Sequence, residues 1–245
     1  MKPVVFALIA AGIFAAAVFL AGCSDSSTDP SEPLTYPDIP GIVVFYDFNG
    51  DLDNETSGDH GATRDGRPSY TEDRHGNPDS ALLVVTGGSQ VQVADHPDLD
   101  ITDAITLAAW VNPDVNFGTY NTVVDKDYNL AYSMGVDART APDTTVFRGS
   151  IADVNRWSDA CVPIGVDTWT HIVFTYEDAT GEGKFYANGN YAGTHTRSST
   201  LGTSDAPLWI GKSYHGDGFY GIIDQVAIFD RALTAQEVQE LYEFE

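Results

Sequence analysis

The chain has 245 residues, 42% of them apolar and 11% aromatic, which suits one core of sandwich size and excludes a wholly disordered polymer. Asp and Glu number 36 against 12 Lys and Arg, a formal charge of −24. Such a surface lacks the basic footprint that nucleic acid or an anionic lipid surface would need, so the charge favours cations and neutral ligands.

Met1 to Leu20 carries one charge, Lys2, ahead of an apolar run from Val4 to Leu20. A run of about 17 residues is at the lower limit for a bilayer span and reads as the apolar region of a secretory signal. It ends in Leu20-Ala21-Gly22-Cys23, which resembles the bacterial lipobox. That resemblance implies a signal peptide over residues 1–22, cleavage before Cys23 and a lipoprotein whose Cys23 carries acyl chains such as palmitate. Ser24 rather than Asp after the cysteine implies a bacterial cell-envelope location, on the outer membrane in preference to the inner. Cleavage would remove Lys2 and move the formal charge from −24 to −25. Membrane contact would then rest on the lipid anchor only, at about 0.8 kcal/mol per buried methylene. Residues 23–40 follow as the acylated cysteine and a tether rich in Ser, Asp and Pro, too poor in apolar residues to pack.

From Gly41 to Glu245, short runs of Val, Ile, Thr, Tyr and Phe alternate with Gly, Asp, Asn and Pro clusters, the pattern of an all-β sandwich. Twelve strands are predicted: 42–48, 81–85, 89–93, 105–111, 122–126, 130–136, 144–151, 169–177, 183–187, 191–195, 207–211 and 221–229. Asn188-Gly189 supplies the positive φ values of a tight hairpin. Thr234-Ala235-Gln236-Glu237 is a capping box that opens one short C-terminal helix, with Val238, Leu241 and Tyr242 on one face. Cys161 is left without a disulfide partner once Cys23 is lipidated, and reads as a small buried hydrophobe.

Four stretches share a family pattern: Ala81–Pro113, ending in Ala109-Trp110-Val111-Asn112-Pro113; Asp167–Tyr176 followed by Phe185–Gly189; Leu208-Trp209-Ile210-Gly211; and Gly221–Thr234. In order and spacing they resemble the LamG-like jelly-roll domains of the concanavalin A-like lectin/glucanase superfamily. The resemblance implies a two-sheet antiparallel jelly-roll sandwich over residues 41–245. It also implies a calcium held between the loop after the first strand and the aspartate of the last. Carried over to this chain, that nominates Asp47, Asn49 and Asp224 as metal ligands, with Gln225 departing from the acid usual after Asp224. An aspartate among Ile222, Ile223, Val226 and Ile228 needs a partner charge or donors, which calcium or a backbone nest could supply.

Catalysis is not expected. A retaining glucanase needs two carboxylates about 5 Å apart, usually on alternate residues of one strand. The E-x-D-x-x-E pattern that the family resemblance implies for its hydrolases does not occur in the sequence. Glycan binding calls for aromatic faces beside hydrogen-bonding groups in loops, which nominates Trp157 with Arg156, Tyr120 and Tyr214. Trp157 could equally pack down its own loop, whereas Trp110, Trp169 and Trp209 lie in strand patterns and read as core. The resulting expectation is a lipid-anchored, calcium-stabilised module without catalytic activity that binds a glycan or polysaccharide. The alternative is an adhesion or assembly protein that binds a protein partner through the same sandwich.

Overall fold

The structure, a computed structural model, describes residues 37–244 apart from 59, 67–68, 86–88, 115–119, 142–143, 153–156, 215 and 217. Among these residues the strands are β1 (Ile42–Tyr46), β2 (Ala62–Gly66), β3 (Ser69–Thr71), β4 (Ala81–Val84), β5 (Ser89–Val93), β6 (Ala104–Pro113), β7 (Tyr120–Lys126) and β8 (Tyr132–Ala141). They continue with β9 (Thr144–Ile151), β10 (Trp157–Gly165), β11 (Thr170–Glu177), β12 (Glu182–Ala187), β13 (Asn190–Thr196), β14 (Leu208–Ile210) and β15 (Gly221–Phe229), and the helix α1 (Ala235–Glu243) closes the order. One sheet runs β13-β12-β11-β6-β15-β4-β3, with β1 also paired to β15; the other runs β10-β9-β8-β7-β14-β5-β2. All pairings within the two sheets are antiparallel. This is the expected jelly-roll sandwich with one short C-terminal helix.

Side-chain alternation sorts residues between the core and the outer faces. In β6, Ile105, Leu107, Ala109 and Val111 join the core between the sheets, whereas Ala108 joins a separate cluster outside. Phe147, Phe174 and Phe185 meet across the sheets at 5.0–5.2 Å between ring centroids. Position 149 has to be glycine for this contact, because a Cβ there would lie 2.7 Å from the Phe174 ring.

The helix covers part of the outer face of the first sheet. Val238 and Leu241 pack there with Ile39, Phe45, Ala108, Val173, Ala227 and Phe229. Packing thus includes Pro37 and Ile39, both buried, which extends the domain toward the N-terminus from the expected start at Gly41. The capping box forms as expected, with the Thr234 hydroxyl accepting from the Glu237 N–H and the Glu237 carboxylate accepting from the Thr234 N–H. Arg231 forks onto the same carboxylate at 2.7 and 3.0 Å, and its guanidinium holds Glu237 down at about 2. The hairpin also forms, with φ of +49° at Asn188 and +73° at Gly189.

Three strands were not expected: β2, β3 and β10. Each is an edge strand of its sheet. The tryptophans expected in the core divide differently. Trp110 and Trp209 are buried but lie outside the core between the sheets, because their neighbours Ala109, Val111, Leu208 and Ile210 occupy it. Trp169 precedes β11 and is only half-buried.

Candidate functional site

Two regions concentrate polar groups on the sandwich. The first is built by an irregularity in β15. The register against β6 shifts between Asp224, which pairs with Trp110, and Ala227, which pairs with Ala108. Ile223 and Val226 both enter the core, so Gln225 is the extra residue of a β-bulge, and it adopts φ +46°. A non-glycine residue in that region is strained, and here it turns the strand beside a buried carboxylate.

Asp224 is 2% exposed. Its Oδ1 accepts from the Gln225 N–H at 2.8 Å and its Oδ2 accepts from Arg74 Nη1 at 3.2 Å. Arg74 also donates to the Phe244 carbonyl at 3.1 Å and lies 4.6 Å over the Trp110 ring. The chain therefore supplies the partner charge and donor that the sequence left open. Burial still pushes the Asp224 carboxyl up to about 7, against the pull of Arg74 and the Gln225 N–H, and the like charges of Asp73 and Asp47 add to that rise.

Asp47 and Asn49, far in sequence from Asp224, line one cavity of about 290 Å³ with it and with Asp73, Arg74 and Asn77. Asp47 accepts from the Asn49 backbone at 3.2 Å and from its amide at 2.6 Å. Burial would raise Asp73, but bonds from the Asn77 side chain and from the Asn77 and His75 N–H groups leave it below the usual carboxylate range. Three carboxylates and two side-chain carbonyls form an all-oxygen set, and an ionised carboxylate has about four acceptor positions, so capacity remains after these bonds. Such a set suits a hard cation, but Arg74 already occupies Asp224 Oδ2, so an ion bound there would have to share or displace that bond. Among the described residues, the acids whose ligand oxygens lie within 4.8 Å of one another are Asp47, Asp51 and Glu55. Arg74, Asp73 and Asn77 were missed in the sequence. The Asp-Arg-His-Gly-Asn run signals a turn, but nothing local ties it to a residue 150 positions on.

His171 is fully enclosed between Trp110 and Tyr242, at 5.2 and 5.8 Å. Burial, helped by Arg74, pushes its imidazole down to about 3. It packs as a neutral ring.

The second region is the outer face of the second sheet. Trp209, Asp125, Ser133 and Ser150 stand opposite one another across β14, β7, β8 and β9, and Gln92 and Thr63 extend the row through β5 and β2. Asp125 is buried and accepts from the N–H groups of Tyr128 at 3.0 Å and Tyr214 at 2.6 Å. Burial pushes it up to about 6, opposed by Tyr214, Ser213, Arg148 and Ser133. Arg148 is wholly buried and donates to the Thr122 hydroxyl at 2.8 Å. Its guanidinium crosses Gly135, where a Cβ would lie 2.3 Å from the Asn121 carbonyl oxygen and 2.9 Å from Arg148 Nη2. Lys212 Nζ sits 4.4 Å over the Trp209 ring.

The glycan candidates distribute as follows. Tyr214 lies on the turn whose backbone docks on Asp125, and it is 48% exposed. Tyr120 opens β7 opposite Asp137, five residues from Asp125 and so about 16 Å away along the strand. Trp157 is not in a loop: it is the first residue of β10 and pairs with Gly149. Arg156 and Cys23 lie outside the described residues, and Cys161 lies within β10. Three of the candidates thus belong to the second sheet or its connecting turn, spread across it and not gathered at one loop end.

Among curated proteins no sequence relative matches the chain. Similar solved structures include domain 4 of AbnA, an extracellular GH43 arabinanase from Geobacillus stearothermophilus, in complex with arabinotriose. It has 20% identity and a TM-score of 0.64, with 82% of this chain and 98% of that one covered. The binding domain of botulinum neurotoxin DC in complex with rat synaptotagmin II aligns at 13% identity and TM-score 0.60, covering 82% of this chain and 51% of that one. A structure described by the dependence of botulinum neurotoxin type C cell entry on two ganglioside molecules aligns at 13% identity and TM-score 0.60, covering 82% and 50%. At these identities the likeness establishes the fold. The family model for the concanavalin A-like lectin/glucanase superfamily matches residues 85–239, and the chain belongs to that superfamily.

Proposed function

We propose that this protein is a carbohydrate-binding module without catalytic activity, anchored to the bacterial cell envelope through lipid on Cys23 and stabilised by calcium. The observation that carries the glycan reading is the exposed Tyr214 ring, on the turn that docks on Asp125. That turn lies at the edge of a polar row in the second sheet, where Asp125, Ser133 and Ser150 stand in register with the Trp209 indole and are themselves buried. Sugar sites pair an apolar ring face with a few fixed donors and acceptors, and the buried row fixes the turn that presents the Tyr214 ring. A protein-binding surface would instead be a contiguous apolar patch. The exposed large hydrophobics among the described residues are Val85, Leu130, Tyr191 and Tyr214, which lie on separate elements. The arabinanase domain, whose structure contains arabinotriose, supports the same reading by likeness of fold. A glycan array including arabino-oligosaccharides, run with calcium and with chelator, tests ligand class and metal dependence together. Binding of neutral glycans supports the proposal, and an array without hits beside capture of a purified envelope protein favours the adhesion alternative.

In the calcium reading, Asp47, Asn49 and Asp224 hold the ion, joined by the Asp73 carboxylate and the Asn77 side chain. Bound there, the ion would neutralise acids that converge on a buried position and so stabilise the fold. The role of the chain's own residues is to orient oxygens: the Gln225 bulge fixes Asp224, and the hydrogen bonds from Asn49 fix Asp47.

Lipidation has its own test. Replacing Cys23 by Ser should release the protein in soluble or unprocessed form, read by membrane fractionation. An unchanged membrane fraction would contradict the anchor.

A further inference from the structure

Outside the lining of the oxygen-rich cavity, two imidazoles and a carboxylate converge where the segment before β2 meets the turn after β5. His60 Nε2 lies 3.7 Å from Asp98 Oδ2, and His96 Nδ1 lies 3.4 Å from the same oxygen. One ligand atom from each of the three side chains falls within 4.8 Å of the others. We propose that His60, His96 and Asp98 form a second metal site, selective for a divalent transition metal of the zinc type.

Both nitrogen-to-carboxylate distances are close to what such an ion requires, and the two nitrogens lie within 4.8 Å of each other. Tetrahedral zinc with bonds of about 2.0–2.1 Å sets its ligand atoms about 3.3–3.4 Å apart, so the two nitrogens need to move by only a few tenths of an ångström relative to Asp98. The donor set of two imidazoles and one carboxylate suits zinc and its neighbours, whereas calcium and magnesium take oxygen. One position would remain for water. The His96 Nδ1 lone pair accepts from the Asp98 N–H at 3.3 Å, at the long end for a hydrogen bond, and a metal would displace that contact.

The site is also held in place from behind. His60 is 3% exposed, its carbonyl accepts from the Tyr46 hydroxyl, and Gly58 leaves room for its ring, since a Cβ there would meet His60 Cδ2 at 2.5 Å. His96 caps a short 3-10 turn (Pro97–Leu99) with proline in its first turn, and Leu99 is fully buried. The Leu99 carbonyl accepts from the Tyr132 hydroxyl at 3.1 Å. Asp95, just before His96, is fastened by buried Lys126 at 2.5 Å. One ligand, His60, is fixed by packing, and the backbone that carries His96 and Asp98 is anchored at Asp95 and Leu99, so binding a metal orders only two short side chains. Without metal the contact between His60 Nε2 and Asp98 can serve as an ion pair, and the experiment distinguishes the two.

The full chain, made without a polyhistidine tag, is titrated with zinc chloride by calorimetry in the presence of excess calcium. Cobalt is then used as an optical probe. The proposal expects one zinc per chain, tetrahedral cobalt absorption in the visible, and at least a tenfold loss of zinc affinity in both His96→Ala and Asp98→Asn. Both substitutions change partly exposed side chains, so they test ligation without emptying the core, and circular dichroism checks that the variants fold. Asp224→Ala should leave zinc affinity within twofold of wild type, which separates this site from the calcium reading. Absence of zinc binding, or affinity unchanged in His96→Ala and Asp98→Asn, would overturn the proposal and leave the cluster as an ion pair.

Discussion

Replacing Lys126 by alanine should destabilise the domain by about 1.5–3 kcal/mol, the range for a hydrogen bond to a charged group. Asp95 and Asp100 keep 34% and 28% of their side-chain surface in water, so they are not left as buried charges. Lys126 lies in the second sheet at β7 with no exposed side-chain surface. Its ammonium donates to the Asp95 carboxylate at 2.5 Å and to the carbonyls of Ser204 at 2.8 Å and Ala206 at 3.1 Å, and Asp100 lies 3.8 Å away. One side chain therefore joins β7 to the turn after β5 and to the segment leading into β14. Alanine would leave two carbonyls without their donor and two acids without their cation, in a chain already at −24. Urea denaturation measures the loss. A change below about 1 kcal/mol, the level of a surface ion pair, would show that water takes over these contacts.

Calcium at a hundred times its dissociation constant should raise stability by about 2.7 kcal/mol if it binds only the folded chain. Asp224→Ala and Asp47→Ala should each abolish that increment, whatever they do to the baseline. The pH dependence carries a second signature. The Asp224 carboxyl is pushed from an ordinary value of 3.8 up to about 7, so between these limits the folded state binds more protons than the unfolded state. Its contribution to stability is fully present below 3.8 and is lost as pH rises through about 7. Asp125, pushed up to about 6, acts in the same sense. His171 acts oppositely: with its value moved from 6.5 down to about 3, it costs stability as pH falls through that interval. Above 6.5 the Asp224 effect is the main one of the three. Metal-depleted protein should lose stability from pH 6.5 to 8, and calcium should flatten the slope and release protons on binding. Magnesium should substitute poorly, because it demands a tighter octahedron. A melting temperature indifferent to chelator across this range would remove calcium from the account.

How much of this was legible in the sequence depends on whether the information was local. The hairpin at Asn188-Gly189 and the capping box at Thr234–Glu237 were readable because each is settled within four residues. The central strands were readable because one or both faces are apolar. The three missed strands lie at sheet edges, where a strand buries less and tolerates polar residues and proline. β2 reads Ala-Thr-Arg-Asp-Gly, β3 has three residues, and β10 carries Pro163 and Asp159. Missing β10 also put Trp157 in a loop. Trp110 and Trp209 looked like core because they are large and lie in strands. Their alternation with Ala109, Val111, Leu208 and Ile210 already assigned them to the other face. The sequence brought Asp47, Asn49 and Asp224 together through the family pattern, and the fold joins them. Arg74 was invisible because its pairing with Asp224 is made only by the fold.

The central claim is that the outer face of the second sheet binds a neutral glycan, and calorimetry with the best glycan from the array tests it most directly. Tyr214→Ala is the informative variant: Tyr214 docks on Asp125 through its backbone N–H, which alanine retains, while its exposed ring is lost. The account predicts a loss of sugar affinity of at least fivefold with the melting temperature nearly unchanged. Wild-type affinity in Tyr214→Ala, together with unchanged affinity in Lys212→Ala beside the Trp209 ring, would contradict it and place the ligand elsewhere on the sandwich.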